Sequence, residues 1–167
     1  MNWIAISGSW RTTNHQVESD VRREVSHIIG RGDGIVTGGA LGVDYIATDE
    51  ALKHDPKVNR IQVFLPTSLT LYQQHYFKRA REKVITTKQA QALISQLTYL
   101  QGINPCSLIE GPAKTADQHS YYLRHLSIIS LAERLLAFQV NQSQGTQDTI
   151  NKAKVKGIPV TLFSYTI

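Results

Sequence analysis

Short apolar runs alternate along this chain with segments of helical length, and that alternation leaves few folds open. Asn2 to Ser7 is apolar and partly β-branched, so it reads as a buried strand. From His15 to Gly30, Val17, Val21, Val25, Ile28 and Ile29 recur at helical spacing, and Gly30, Gly32 and Gly34 close the segment. "GIVT", from Gly34 to Thr37, reads as a second strand. Val43 to His54 reads as a helix with Val43, Ile46, Ala47 and Leu52 on one side. Arg60 to Pro66 is a third strand, closed by Pro66. Near the end, Arg134–Val140 reads as a strand, Thr146–Lys156 as a helix and Ile158–Tyr165 as a last strand. Helix-length connections between short buried strands imply a parallel sheet with right-handed crossovers. The expected class is therefore α/β: a doubly wound, mostly parallel sheet with helices on both faces.

The middle of the chain is less periodic. Leu71–Val84 and Thr87–Leu100 read as two helices, and Ser120–Glu133 as a third. Cys106 to Pro112 is either a short strand or an ordered loop. The expected organisation is one domain over 1–167 with a helical insertion at about 67–102. No appended winged-helix domain is expected.

Composition narrows the class further. With 41% hydrophobic and 19% charged residues the chain resembles a soluble globular protein. It has no apolar run of membrane-spanning length and no signal peptide, so a cytoplasmic location is expected. A single cysteine, Cys106, excludes an intrachain disulfide and a thiolate metal site, and its default reading is a buried thiol. Six histidines show no metal-binding spacing, so no metal is expected. The net charge of +5 suits nucleic acid or phosphorylated ligands, and it suits solubility equally well.

Loops leaving the carboxyl ends of parallel strands share one edge, where ligands bind. Three such loops carry small residues. They are Gly8, Ser9, Trp10 and Arg11; then Gly38, Gly39, Ala40, Leu41 and Gly42; then "NQSQGT", with Ser143, Gly145 and Thr146. Glycine lets a ligand approach the main chain, and a helix beginning near Gly42 offers free N–H groups to an anion. Neither GxGxxG nor GxxxxGK[ST] is present. The expected phosphate cradle is Gly8, Ser9, Gly38, Gly39, Gly42 and Thr146, with charge from Arg11. Asp44 either faces a sugar or complements the first turn of its own helix. In "YQQHYFKRAREK", aromatics interleave with Lys78, Arg79, Arg81 and Lys83; this suits stacking bases and phosphates, or else an amphipathic helix with buried rings. Trp10 and Tyr45 are the better-placed stacking residues.

"ISGSW", "GIVTGGALGVDYIATDEAL", "YYLRHLSIISLAERLLAF" and "QGTQDTINKAKVKGIPV" together resemble the Rossmann-like domain of the DNA-processing protein A family, within the superfamily shared with the "lonely guy" proteins. The glycine-rich stretch is similar to that family's "SGxAxGID" motif. "YLRHLSIISLAE" is similar to its "RNRIIAGLSD" helix, with Arg124 on the first arginine, His125 in place of asparagine and Leu126 in place of the second arginine. Trp10 stands where arginine is usual, and Glu110 and Pro112 match the family's "SE.P". The resemblance implies a Rossmann-like fold that binds nucleotides or single-stranded DNA, with Arg124 supplying charge, and a homodimer.

The "lonely guy" branch implies hydrolysis of the N-glycosidic bond of a nucleoside monophosphate, through "PGGxGTxxE". Here the stretch is "NQSQGTQDT": Gly145 and Thr146 match, and Thr149 stands at the catalytic glutamate. Threonine cannot supply a carboxylate to an oxocarbenium-like charge. Asp148 is adjacent, but one residue on a helix turns the side chain by about 100°. The expected function is non-catalytic binding of a nucleotide or single-stranded nucleic acid. No catalytic residue and no required cofactor are expected, and a nucleotide or phosphate is the expected ligand. The alternatives are a small-nucleotide sensor or carrier, then a hydrolase using Asp148 or Glu110.

Overall fold

The computed structural model describes residues 1–167. In chain order the elements are β1 (Trp3–Gly8), α1 (His15–Gly30), β2 (Gly34–Thr37), α2 (Val43–His54), β3 (Ile61–Phe64), α3 (Leu69–Arg81), α4 (Thr87–Ile103), a 3-10 turn (Pro105–Ser107), β4 (Leu108–Ile109), α5 (Gln118–Leu131), β5 (Arg134–Val140), α6 (Gln144–Lys156) and β6 (Val160–Tyr165).

Period-two side-chain alternation divides each strand between two cores. Ile4, Ile6, Ile35, Leu136 and Phe138 join α1, α2, α3 and α4 on one face. Ala5, Val36, Leu135 and Ala137 join α5 and α6 on the other. Both faces are covered, which is why these strands are nearly continuous in apolar residues.

All six strands pair in parallel, in the order β4-β3-β2-β1-β5-β6. The chain winds outward from β1 to β4, then returns past β1 to place β5 and β6. Its direction of winding therefore reverses between β1 and β5, and a crevice opens beyond the carboxyl ends of those two strands. The expected Rossmann-like α/β class is the fold observed.

Capping residues set several boundaries. The Asn14 side chain accepts from Val17 N at the start of α1, and Thr86 with Gln89 closes a capping box on α4. Asp117 and Ser120 do the same for α5, and Gly157 ends α6 in the left-handed conformation. α6 begins at Gln144, two residues before the expected start, with Ser143 at the N-cap position but no side-chain cap hydrogen bond from it. The segment after α4 resolves into both expected alternatives, a turn and a two-residue strand. Cys106 sits on that turn and is exposed, contrary to the buried thiol expected, because the turn lies at the outer edge of the sheet. No helix is long and apolar enough to cross a membrane.

Candidate nucleotide and nucleic-acid site

The three small-residue loops do converge at one edge. At Gly8 a Cβ would lie 2.5 Å from Val43 Cγ2 and 2.7 Å from Phe138 O, so only glycine lets α2 and β5 close on the end of β1. Gly42 has φ +68°, and a Cβ there would meet Ser9 O at 2.2 Å. Val43 N donates to that same Ser9 carbonyl at 2.9 Å. The β1 loop is thus fastened to the start of α2.

Asp44 occupies the heart of the glycine loop. Its Oδ2 accepts from Gly38 N at 3.1 Å and from Ala40 N at 3.2 Å. The side chain is buried, and loss of solvent pushes its pKa up to about 6 against the opposing pull of the Arg124 charge and the two N–H groups. These two N–H groups belong to the loop expected to cradle phosphate, and the chain's own carboxylate takes them.

The cationic counterpart comes from α5. Arg124 is only 8% exposed. Its Nη1 donates to Gly38 O at 2.7 Å, and its Nη2 lies 3.3 Å from His125 Nε2. The guanidinium also stacks on Tyr121, with Cζ 4.9 Å from the ring centroid. Arg124 Nε is buried with no hydrogen-bond partner, and no carboxylate lies within ion-pair distance of the group. Behind it, His125 Nδ1 is 2.9 Å from Asp148 Oδ2, and Lys152 pairs with the same carboxylate. Burial and the Arg124 charge push the His125 pKa down to about 4 despite Asp148, so the ring is neutral.

Asp44, Tyr121, Arg124 and His125 line a cavity of about 470 Å³, with Asp148 and Lys152 behind its wall. Of the residues named from sequence, Gly8, Trp10, Arg11, Gly38, Ala40, Asp44, Arg124 and Gly145 line it. Ser9, Ser143 and Thr146 line an adjoining space of about 260 Å³, which shares Gly8, Trp10, Arg11 and Gly145 with the first. Ser9 Oγ accepts from Thr12 N, and Ser143 Oγ donates to Thr146 Oγ1. Gly39 and Gly42 line neither space. Gly39 packs toward Val63 and Leu65, and its carbonyl accepts from Tyr72 OH. Tyr45 also stays outside, packing on the core while its carbonyl accepts from Gln96.

The rest of the wall lies outside the three loops, on α3 and α5. His75, Tyr76 and Arg79 come from α3, and Tyr121, Tyr122 and His125 from α5. The basic–aromatic pattern on α3 is the available signal for the first group, and it divides between both readings. Tyr72 and Tyr76 are buried, while Arg79 is exposed at the cavity's edge. Thr149 is buried beneath Gly145, donating to its carbonyl, and lies outside the cavity lining. No group of three or more His, Cys, Asp or Glu side chains is placed to hold a metal.

Fold and site together define a Rossmann-like α/β protein with a cationic, aromatic cavity at the topological switch point. Its family follows from the whole sequence. The chain belongs to the DNA recombination-mediator protein A family, whose model matches residues 1–167.

Solved structures agree on the fold. DNA processing protein A from Helicobacter pylori, described for its unique single-stranded DNA binding mode, is 19% identical with a TM-score of 0.68, covering 96% of this chain and 64% of that one. The Streptococcus pneumoniae protein is 18% identical with a TM-score of 0.65, covering 96% and 50%. The molybdenum cofactor binding protein of Rippkaea orientalis is 15% identical with a TM-score of 0.63, covering 98% and 76%. This chain thus spans 64% and 50% of the two DNA processing protein A structures. No curated protein sequence matches it.

Proposed function

We propose that this chain binds single-stranded nucleic acid without catalysis, seating one nucleotide in the cavity at the β1–β5 switch point. The observation that carries this reading is Arg124. A guanidinium has five N–H donors. Here one meets Gly38 O and one meets His125, while Nε has no partner, and Asp44, though it feels the charge, makes no direct ion pair with it. A buried, under-partnered cation is costly until an anion reaches it.

The surroundings suit a nucleotide. Arg11 and Arg79 add charge at the same cavity, and Trp10, Tyr121 and Tyr122 add ring faces. A volume of about 470 Å³ falls in the range of small-ligand pockets and suits one nucleotide rather than a stacked run. The phosphate is assigned to the arginines, and Asp44 is left to meet a sugar or base donor. Asp44 is the one carboxylate lining the cavity, and two backbone N–H groups already hold it. Asp148 is engaged by His125 and Lys152, and Glu110 by Leu69 N. This arrangement argues against a displaced hydrolase carboxylate.

The cavity's size, about 470 Å³, also suits a second reading, a free nucleotide held by a sensor or carrier. Competition separates the two. A labelled oligothymidylate displaced only by millimolar thymidine monophosphate supports the strand; displacement at the strand's own affinity supports the free nucleotide. The reading also includes the cytoplasmic setting and the homodimer that the family resemblance implies, and sedimentation equilibrium tests the dimer.

A further inference from the structure

We infer that His125 is a positioning residue for the anion site: clamped by Asp148 through Nδ1, it presents Nε2 as an acceptor that holds the Arg124 guanidinium in place. The inference rests on the reading of Arg124 as the anion's partner.

Two contacts determine where the imidazole proton lies. Asp148 Oδ2, 2.9 Å from Nδ1, can only accept while ionised, so Nδ1 carries the proton. The guanidinium, 3.3 Å from Nε2, can only donate, so Nε2 is bare. The two demands agree on a single neutral tautomer. The groups facing the ring are Arg124 and Tyr122 from α5 and Asp148 and Lys152 from α6. Lys152 shares Asp148 Oδ2, and its ammonium can only donate, so that oxygen accepts from both side chains. Loss of solvent around the ring, which is 7% exposed as a residue, reinforces neutrality.

The consequence falls on Arg124. A long side chain loses considerable rotamer freedom on being fixed, and a preorganised guanidinium loses less of it when a ligand arrives. Here Gly38 O and His125 Nε2 hold two separate nitrogens, and Tyr121 supports the flat face. A protonated ring would turn Nε2 into a donor aimed at a cation and would release this grip.

The test pairs two variants with a spectroscopic measurement. His125→Gln keeps an acceptor at about the reach of Nε2, whereas His125→Leu fills the space without one. Binding of labelled oligothymidylate, whose bases do not protonate in mildly acid solution, is measured for each, and thermal melts check folding. We expect the Gln variant to bind within about threefold of wild type and the Leu variant at least about tenfold more weakly, as for loss of a hydrogen bond to a charged group. In the free protein, 15N shifts of the His125 ring at neutral pH should show a protonated Nδ1 and a bare Nε2, and Asp148→Ala should weaken that preference, leaving Arg124 alone to favour a bare Nε2. A ring protonated on Nε2, or a Leu variant binding as well as the Gln variant, overturns the inference. If wild type shows the expected tautomer but no binding, the anion reading fails, and His125's role in binding fails with it.

Discussion

Arg124 lies directly on Gly38, a residue 86 positions earlier in the chain, with Nη1 donating to the Gly38 carbonyl at 2.7 Å. A Cβ at residue 38 would lie 2.6 Å from the guanidinium carbon. The glycine therefore makes room for a protein cation, beside the carboxylate that takes its own N–H.

Gly38→Ala should accordingly act through Arg124. The backbone at residue 38 has no positive φ, so the added methyl strains the contact rather than the main chain. All three close atoms belong to the far end of the Arg124 side chain, which can shift, so thermal melts should show a loss of no more than about 1 kcal/mol, the low end for overpacked sites. Oligonucleotide affinity should fall by more than that loss of folding explains. Unchanged affinity in a folded variant would count against Arg124 as the anion's partner.

Asp44 and His125 give stability opposite pH slopes over nearly the same window. The Asp44 pKa rises from 3.8 to about 6, so its contribution is fully present below 3.8 and is lost as pH rises through 6. The His125 pKa falls from 6.5 to about 4, so its contribution is fully present above 6.5 and is lost as pH falls through 4. In urea melts, the difference His125→Gln minus wild type should fall with rising pH across this window. The difference Asp44→Asn minus wild type should rise. Difference curves that stay flat would contradict both assignments.

Arg79 separates charge from folding. It is exposed at the cavity edge and pairs with Glu82 at 3.0 Å, a surface ion pair of small value. Arg79→Ala should leave stability within about 0.5 kcal/mol of wild type. It should weaken oligonucleotide binding and reduce the slope of log K against log salt by about 1. An unchanged slope would place the phosphates elsewhere.

Trp10 provides an optical readout. The chain has two tryptophans, so Trp3→Phe leaves Trp10 as the sole indole. Trp10 is 37% exposed and lines both adjoining spaces at the switch point. Oligothymidylate should quench its emission with the midpoint seen by anisotropy. Emission that does not respond would remove Trp10 from the contact surface.

The strand–helix alternation made the fold legible because both cores are built from local periodicity: Ile4 and Ile6 against Ala5, and Val17, Val21 and Val25 along one stripe. Loop chemistry also located the edge where Gly8, Gly38 and Gly145 meet. The walls were harder to foresee. Tyr121 and His125 reach the cavity because α5 crosses the sheet beside α6, and His125 finds Asp148 only through that tertiary contact. The part of the expected phosphate cradle at Gly38, Gly39 and Gly42 looks different in three dimensions, since Asp44 folds back onto Gly38 N and Ala40 N of the same loop. Local sequence shows that a loop has free N–H groups, but not which acceptor arrives first.

The most direct test is fluorescence anisotropy of a labelled single-stranded oligothymidylate titrated with the protein at low and moderate salt. Saturable binding that weakens as salt rises is expected, because the protein's cations replace counterions on the phosphates. Arg124→Ala, confirmed folded by thermal melting, should lose most of that affinity. Binding equally tight in the folded Arg124→Ala protein, or no binding by wild type at either salt, would contradict it.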